Sequence, residues 1–107
     1  MITLTICGSM RFSGQMQQIA WELETRYGFN ILQCVYGKEE LDQAAQERLK
    51  SAHYRKIELS DGIYVVDIGG YIGNSVRAEI DYATSLDKPI LYHSQFIKNS
   101  NFILISN

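Results

Sequence analysis

Apolar positions along this chain follow two different periods, and the changes between them predict strands that alternate with helices. A β-rich run at 2–7 ends at Gly8, which predicts a first buried strand. Apolar residues then recur at helical spacing over 14–27, and Gly28 follows where a glycine commonly ends a helix. The same patterns predict further helices at 38–59 and 75–86, and further strands at 29–35, 62–67, 88–92 and 102–105.

The order of these elements favours a single α/β domain that spans 1–107. The run at 62–67 is almost continuously apolar, which is typical of a strand covered on both faces. Strands that alternate with helices indicate a parallel sheet with right-handed crossovers, and five strands are expected here. The long helix at 38–59 is predicted to turn five residues inward, namely Leu41, Ala45, Leu49, Ala52 and Ile57.

Composition agrees with one small globular domain. The chain has 107 residues, of which 46% are hydrophobic and 21% charged. A net charge of -2 gives no electrostatic reason to expect binding to polymeric nucleic acid or to a membrane. Cys7 and Cys34 have no CxxC spacing and no signal or membrane-spanning pattern accompanies them, so we expect reduced thiols in a cytoplasmic protein.

Glu79 is the most informative residue, because it lies on the face of its helix that should be buried. At about 100° per residue it falls between Val76 and Ala83, on the same apolar stripe as Ile80. A carboxylate is costly to bury without a partner. Glu79 therefore either pairs with a hidden cation, for which Arg11 is a candidate, or faces a cavity. For a carboxylate that faces a ligand, attack on a sugar anomeric carbon is a natural task.

Two other loops are expected to join Glu79, because ligands of parallel sheets bind beyond the carboxyl ends of the strands. The loop at 8–14 has small residues before a helix N-terminus and includes Arg11, which favours a phosphate or carboxylate site. The alternative is a tight turn with Arg11 in solvent. Asp67, at the end of its strand, either serves a sugar hydroxyl or a leaving group, or accepts hydrogen bonds from Gly69 and Gly70.

The remaining candidates also allow two interpretations each. Tyr71 either closes over a flat ligand or packs against the protein. Ser75, or Asn74 in its place, either caps the next helix or donates to an anion there. Trp21 lies on the outer face of the first helix, where it marks either a subunit interface or a partly covered surface. The two histidines, His53 and His93, form no metal or catalytic pattern with other residues, so surface or packing roles are predicted.

These motifs together resemble the nucleoside 2-deoxyribosyltransferase superfamily, and most closely its 2′-deoxynucleoside 5′-phosphate N-hydrolase branch. The segment C-G-S-M-R at 7–11 is similar to the opening segment that wraps the nucleotide 5′-phosphate in that branch. The segments G-G-Y-I-G at 69–73, A-E-I-D-Y-A at 78–83 and D-K-P-I at 87–90 are similar to the glycine-rich loop, the helix and the strand of the superfamily.

The resemblance implies a flavodoxin-like (Rossmann-like) three-layer sandwich with a five-stranded parallel sheet. This chain departs from the family pattern in its last helix, which is expected to be reduced to a loop at 93–101. The resemblance also implies that Glu79 is the nucleophile at C1′ and that Asp67 is the acid near the base and sugar. Members commonly pair, so a homodimer or higher homo-oligomer is expected, with Ser100 reaching the partner's site. The implied substrate-binding residues are Gly8, Ser9, Met10, Arg11, Gly70, Tyr71, Gly73, Asn74 and Ser75.

The function expected from the sequence is cleavage of the N-glycosidic bond of a nucleoside or (deoxy)nucleoside 5′-monophosphate. Water or a second base would accept the sugar, and no metal or cofactor is expected. Arg11 favours hydrolysis of a 5′-monophosphate over base exchange, because a nucleoside transferase does not need a cation there. The alternative is a non-catalytic nucleotide-binding or sensing module of the same fold. A third possibility is a small interaction protein that uses the surface around Trp21.

Overall fold

A parallel four-stranded sheet forms the centre of the protein in this computed structural model, which describes residues 1–37 and 40–99. The strands are β1 (Thr3–Cys7), β2 (Asn30–Leu32), β3 (Gly62–Val65) and β4 (Ile90–Tyr92). The helices are α1 (Ser13–Tyr27), α2 (Gln43–Leu59), α3 (Asn74–Ser85) and the single turn α4 (His93–Phe96). Short 3₁₀ turns occur at Met10–Phe12, Ile68–Gly70 and Ile97–Asn99.

The strand order is β2-β1-β3-β4, and every neighbouring pair is parallel, so the predicted α/β class is confirmed. This order matches the first four strands of the doubly wound order 2-1-3-4-5. The described sheet has four strands where five were predicted, and the fifth, predicted at 102–105, lies outside the described residues. None of the helices in the described ranges is long and apolar enough to cross a bilayer.

Helices cover both faces of the sheet, and the alternation of side chains along each strand divides the core between them. Leu4 and Ile6 of β1 pack with α1. Cys7 faces the opposite side, where it joins a cluster with buried residues of α2 and α3. All four residues of β3 are buried, which confirms that this strand is covered on both sides. The result is a Rossmann-like arrangement in which the carboxyl ends of β1 and β3 meet at one edge.

Gly62 allows β3 to lie close to the segment that precedes β4. A Cβ atom at this position would lie 2.7 Å from the carbonyl oxygen of Pro89, which leaves no room for any side chain. The amide of the next residue, Ile63, donates to that same carbonyl at 3.1 Å. The close approach therefore sets the pairing of the two strands from their first residue.

The long helix α2 differs most from its predicted form. It begins at Gln43, where the Asp42 carboxylate accepts a hydrogen bond from the amide of Ala45 at 2.8 Å. Its predicted inward face is confirmed at Ile57, which is fully buried, and is wrong at Leu49, which is 39% exposed. Ala52 and the preceding Leu41 are exposed as well, and Ala45 is half-buried.

This difference arises because α2 is longer than the strands on which it packs. A helix of 17 residues is about 25 Å long, whereas a four-residue strand such as β3 spans only about 13 Å. The last turns of α2 therefore pack on the sheet, and its first half has no sheet beneath it. That half stands beside the edge where the strands end.

The start of α3 and the segment after β4 also differ from the prediction. The N-cap of α3 is Gly73, so the prediction that Ser75 or Asn74 caps it is wrong. Both residues lie exposed in its first turn. The segment that follows β4 is a helical turn, not the predicted loop, because the buried carboxylate of Asp67 accepts hydrogen bonds from the first turn of α4 at Ser94.

Candidate functional site

The loops that follow β1 and β3 meet the first turn of α3 around a cavity of about 330 Å³. This volume is at the lower end of the range of about 300–1,000 Å³ that is usual for small-molecule sites. All the residues that line it were predicted as site residues, except Val76, which was predicted to lie on the apolar face of the helix. They are Gly8, Ser9, Met10, Tyr71, Gly73, Asn74, Ser75, Val76 and Glu79.

Glu79 lies where this cavity and two others come together. The second cavity, of about 230 Å³, lies between the segment after β2 and α2, and the third, of about 320 Å³, lies between α2 and α3. Glu79 lines all three of them. Its side chain is 15% exposed, so the carboxylate is largely buried in protein but still accessible.

The partner of Glu79 is His53, on α2. Its Nε2 atom lies 3.3 Å from Oε1 of Glu79, so the contact predicted for a hidden cation is made with a histidine and not with Arg11. The same Nε2 atom lies 3.5 Å from Sγ of Cys7, at the end of β1. The prediction that His53 forms no pattern with other residues is therefore wrong. The sequence did contain one indication of this position. His53 lies four residues from both Leu49 and Ile57, so it shares a helix face with two residues that were predicted to turn inward.

The environment of Cys7 keeps its side chain in the thiol form. Burial raises the pKa of Cys7 well above its usual value, and the negative charge of Glu79 raises it further. The thiol and the Glu79 carboxylate both approach the same ring nitrogen of His53. A nucleophilic triad requires the acid and the nucleophile on opposite ring nitrogens, so this arrangement does not form a cysteine triad.

Arg11 lies beside the cavity, stacked on an aromatic ring. Its guanidinium carbon is 3.8 Å from the centre of the Tyr71 ring, and the centres of the Phe12 and Tyr71 rings lie 6.1 Å apart in a T-shaped contact. Tyr71 therefore packs against its neighbours, as one of its two interpretations predicted. It also lines the cavity, and its closure over a flat ligand stays a prediction. Arg11 itself is exposed, and its amide donates to the Ser9 hydroxyl at 3.3 Å.

Asp67 is engaged away from Glu79. Its two carboxylate oxygens accept hydrogen bonds from the amide and the hydroxyl of Ser94, at 2.8 and 2.6 Å. The amide of Gly70 donates to the backbone carbonyl of Asp67 at 2.8 Å, so the prediction that the carboxylate serves the glycine amides is wrong. Among the described residues, neither Asp67 nor Gly70 lines the cavities that Glu79 joins. The role of Asp67 as an acid stays a prediction.

Two lysines of α2 were not identified from the sequence. Lys50 lines both cavities on the α2 side of Glu79, and Lys56 lines the smaller of them. The ammonium group of Lys56 donates to the carbonyl oxygen of Gln33 at 2.7 Å. Neither belongs to the face that was predicted to turn inward, and the periodicity alone does not show that this half of α2 borders a cavity.

The other candidates lie outside this region. Trp21 is 59% exposed on α1, in agreement with its predicted position on the outer face. His93 is fully buried, and its Nδ1 atom shares a hydrogen bond of 2.7 Å with the Tyr64 hydroxyl, so the packing alternative holds. Ser100 lies outside the described residues. No family model matches the chain, and neither a curated protein nor a solved structure matches it.

Proposed function

We propose that this protein cleaves the N-glycosidic bond of a nucleoside 5′-monophosphate or nucleoside, with Glu79 as the nucleophile. One observation carries the proposal: a largely buried, accessible carboxylate lies where three cavities join, one turn into α3. The motif resemblance to nucleoside 2-deoxyribosyltransferases and 5′-phosphate N-hydrolases points to the same residue. We propose water as the acceptor.

In the proposed reaction, a carboxylate oxygen of Glu79 attacks C1′ of the sugar while the bond from C1′ to the base nitrogen breaks. The bonding electrons leave with the base, which takes up a proton, and a glycosyl ester remains on Glu79. Water then attacks C1′ as the bond from C1′ to the Glu79 oxygen breaks, which releases the sugar and restores the carboxylate. The proton that this water loses balances the proton that the base took up.

The first turn of α3 supports an anionic substrate. Its N-cap, Gly73, has no side chain that could accept the first free amides of the helix. Amides at a helix N-terminus are well suited to a phosphate, and Ser75 lies in this turn beside the cavity. Ser9 and Met10 border the cavity on its other side. In this arrangement a 5′-phosphate would bind between the two loops, with Arg11 and Tyr71 beside it.

The test is release of free base from a panel of ribo- and deoxyribonucleosides and their 5′-monophosphates, followed by chromatography. We expect Glu79→Gln to lower the rate by at least about 1000-fold, because an amide cannot form the glycosyl ester. Asp81→Asn is the matched control, since Asp81 is an exposed carboxylate on the same helix. Its rate should stay within about twofold of wild type.

Mass spectrometry of the wild type under turnover should detect a glycosyl adduct on Glu79. Equal rates for Glu79→Gln and wild type would exclude the nucleophile assignment. If a nucleotide raises the melting temperature of the wild type and of Glu79→Gln equally but no base is released, the protein is a non-catalytic nucleotide-binding module.

A further inference from the structure

Three side chains that are common metal ligands converge beside the proposed site. The Sγ atom of Cys7, the Nε2 atom of His53 and a carboxylate oxygen of Glu79 all lie within 4.8 Å of one another. They come from three separate elements, β1, α2 and α3. Cys7 is 1% exposed, so its thiol is fixed by the packing of the sheet. We propose that Cys7, His53 and Glu79 form a three-ligand Zn²⁺ site.

Two of the three distances between these atoms fit tetrahedral coordination; the third, between Cys7 Sγ and the Glu79 carboxylate oxygen, lies within 4.8 Å and would have to close to a tetrahedral edge of about 3.5 Å. With Zn–S, Zn–N and Zn–O bonds of about 2.3, 2.0 and 2.0 Å, the tetrahedral edges are about 3.5 Å from S to N and about 3.3 Å from N to O. The structure has 3.5 Å from Cys7 Sγ to His53 Nε2 and 3.3 Å from that nitrogen to Glu79 Oε1. These two edges therefore already have the lengths that the ion requires.

The chemistry of the donors selects the kind of metal. A thiolate, an imidazole and a carboxylate form a mixed S, N and O set, which suits Zn²⁺ and does not suit Mg²⁺ or Ca²⁺. Three protein ligands leave a fourth position, as in zinc sites that bind water or a substrate. His53 and Glu79 line the cavity of about 230 Å³, which provides room for that fourth ligand.

The thiol of Cys7 and the carboxylate of Glu79 converge on one ring nitrogen of His53. Nε2 of His53 offers either one hydrogen or one lone pair, yet both the thiol of Cys7 and the carboxylate of Glu79 approach it. One cation between the three groups would satisfy all of them at once. It would also replace the thiol proton and neutralise the negative charge that the buried Cys7 and Glu79 would then share.

Zinc binding would change what Glu79 can do. A carboxylate that coordinates the ion is no longer free to attack C1′, so Zn²⁺ should inhibit base release. This inhibition rests on the proposed function, whereas the metal site itself does not. The two are separated by measuring metal binding directly and by measuring base release in excess chelator. Base release without Zn²⁺ binding would exclude the metal site alone, and the reverse result would exclude the glycosidase alone.

The direct test is titration of chelator-treated protein with Co²⁺ and Zn²⁺. We expect one equivalent of Co²⁺ to bind and to give a thiolate-to-cobalt charge-transfer band in the near ultraviolet. The band should disappear in Cys7→Ser and persist in Cys34→Ser, the matched control, because Cys34 lines the cavity of His53 and Glu79 but lies outside the cluster. Zn²⁺ is then measured by competition with a chromophoric chelator.

His53→Gln and Glu79→Gln should each weaken Zn²⁺ affinity at least about 100-fold, since loss of an outer-shell partner alone costs about 10- to 100-fold. Circular dichroism in chelator checks that each variant is folded. If Cys7→Ser does not fold, the less buried His53→Gln decides the result. Absence of stoichiometric binding, absence of the thiolate band in wild type, or equal loss of the band in Cys34→Ser would overturn the proposal.

Discussion

At the scale of single residues, two buried carboxylates each have a partner, one from a distant part of the chain and one from the next helical turn. Asp67 is bonded to Ser94. Glu22, which is fully buried, lies with Oε2 at 2.6 Å from the Nε atom of Arg26 one turn later. Such pairing follows from the cost of removing a polar group from water. It explains why a polar residue on an apolar stripe is not sufficient evidence for a catalytic site.

His93 provides a test of this principle through the pH dependence of stability. Burial lowers the pKa of His93, and the charge of Asp67 opposes this with a smaller effect. In the unfolded chain the pKa of a histidine is about 6.5, so the unfolded state binds more protons than the folded state as the pH falls through this region. The free energy of unfolding should therefore decrease from about pH 7 down to the lowered pKa of the folded state.

Urea denaturation at several pH values measures this effect. We expect His93→Gln to show a smaller loss of stability than wild type between pH 7 and pH 5, because the group that takes up the proton on unfolding is absent. His53→Gln is the matched control, since it removes the other histidine and retains His93. If wild type and His93→Gln have parallel curves, His93 does not determine the pH dependence.

At the scale of elements, α2 shows that one helix can have two different surroundings. Its last turns place Ile57 in the core, while its first half borders the cavities with Lys50 and His53. Periodicity predicts which residues share a face, but it does not predict how far the sheet extends beneath that face. Because the sheet does not extend beneath the first half of α2, Leu49 lies outside the core and His53 contacts Glu79.

The ends of α1 give a prediction about the backbone. Gly28 closes the helix at a φ of 71°, where a side chain is strained although no atom lies near its Cβ position. We expect Gly28→Ala to lower the free energy of unfolding by about 1–2 kcal/mol. Gly14 lies in the first turn of α1 and also has free space around its Cβ position, without a positive φ.

Gly14→Ala is therefore the matched control for Gly28→Ala. It should raise the free energy of unfolding by up to about 1 kcal/mol, because alanine loses less backbone entropy than glycine on folding. Denaturant unfolding of both variants measures the difference. A destabilising effect of Gly14→Ala, or a neutral effect of Gly28→Ala, would contradict this explanation of the helix end.

At the scale of the whole molecule, the sheet brings together segments that are far apart in sequence. The loops after β1 and β3 meet at one edge because parallel strands end on the same side. Helices α2 and α3 then close the space from one face. Glu79 acquires its surroundings from this assembly and not from its own helix.

The predicted homo-oligomer is also a property of the whole molecule. Trp21 is 59% exposed on α1, and large aromatic side chains of this kind commonly contribute much of the affinity of an interface. We expect sedimentation velocity to show a dimer that Trp21→Ala weakens, with Trp21→Phe as a control that retains most of the aromatic surface. A wild type that remains monomeric at every concentration would contradict the prediction.

Sequence patterning by itself determined the alternation of strands and helices, the buried strand β3, the glycine end of α1 and the inward position of Glu79 on α3. Each of these depends on interactions within one element or on the face that its periodicity selects. The loops that surround Glu79 could also be named, because parallel topology specifies the edge at which they lie.

The residues that contact those faces depend on the tertiary structure. It placed His53 of α2 between Glu79 and Cys7, and it joined Asp67 to Ser94. These contacts depend on the lengths of packed elements and the distances between them, which local periodicity does not record. The pattern therefore predicted the position of the Glu79 carboxylate, but it did not predict which residue lies beside it.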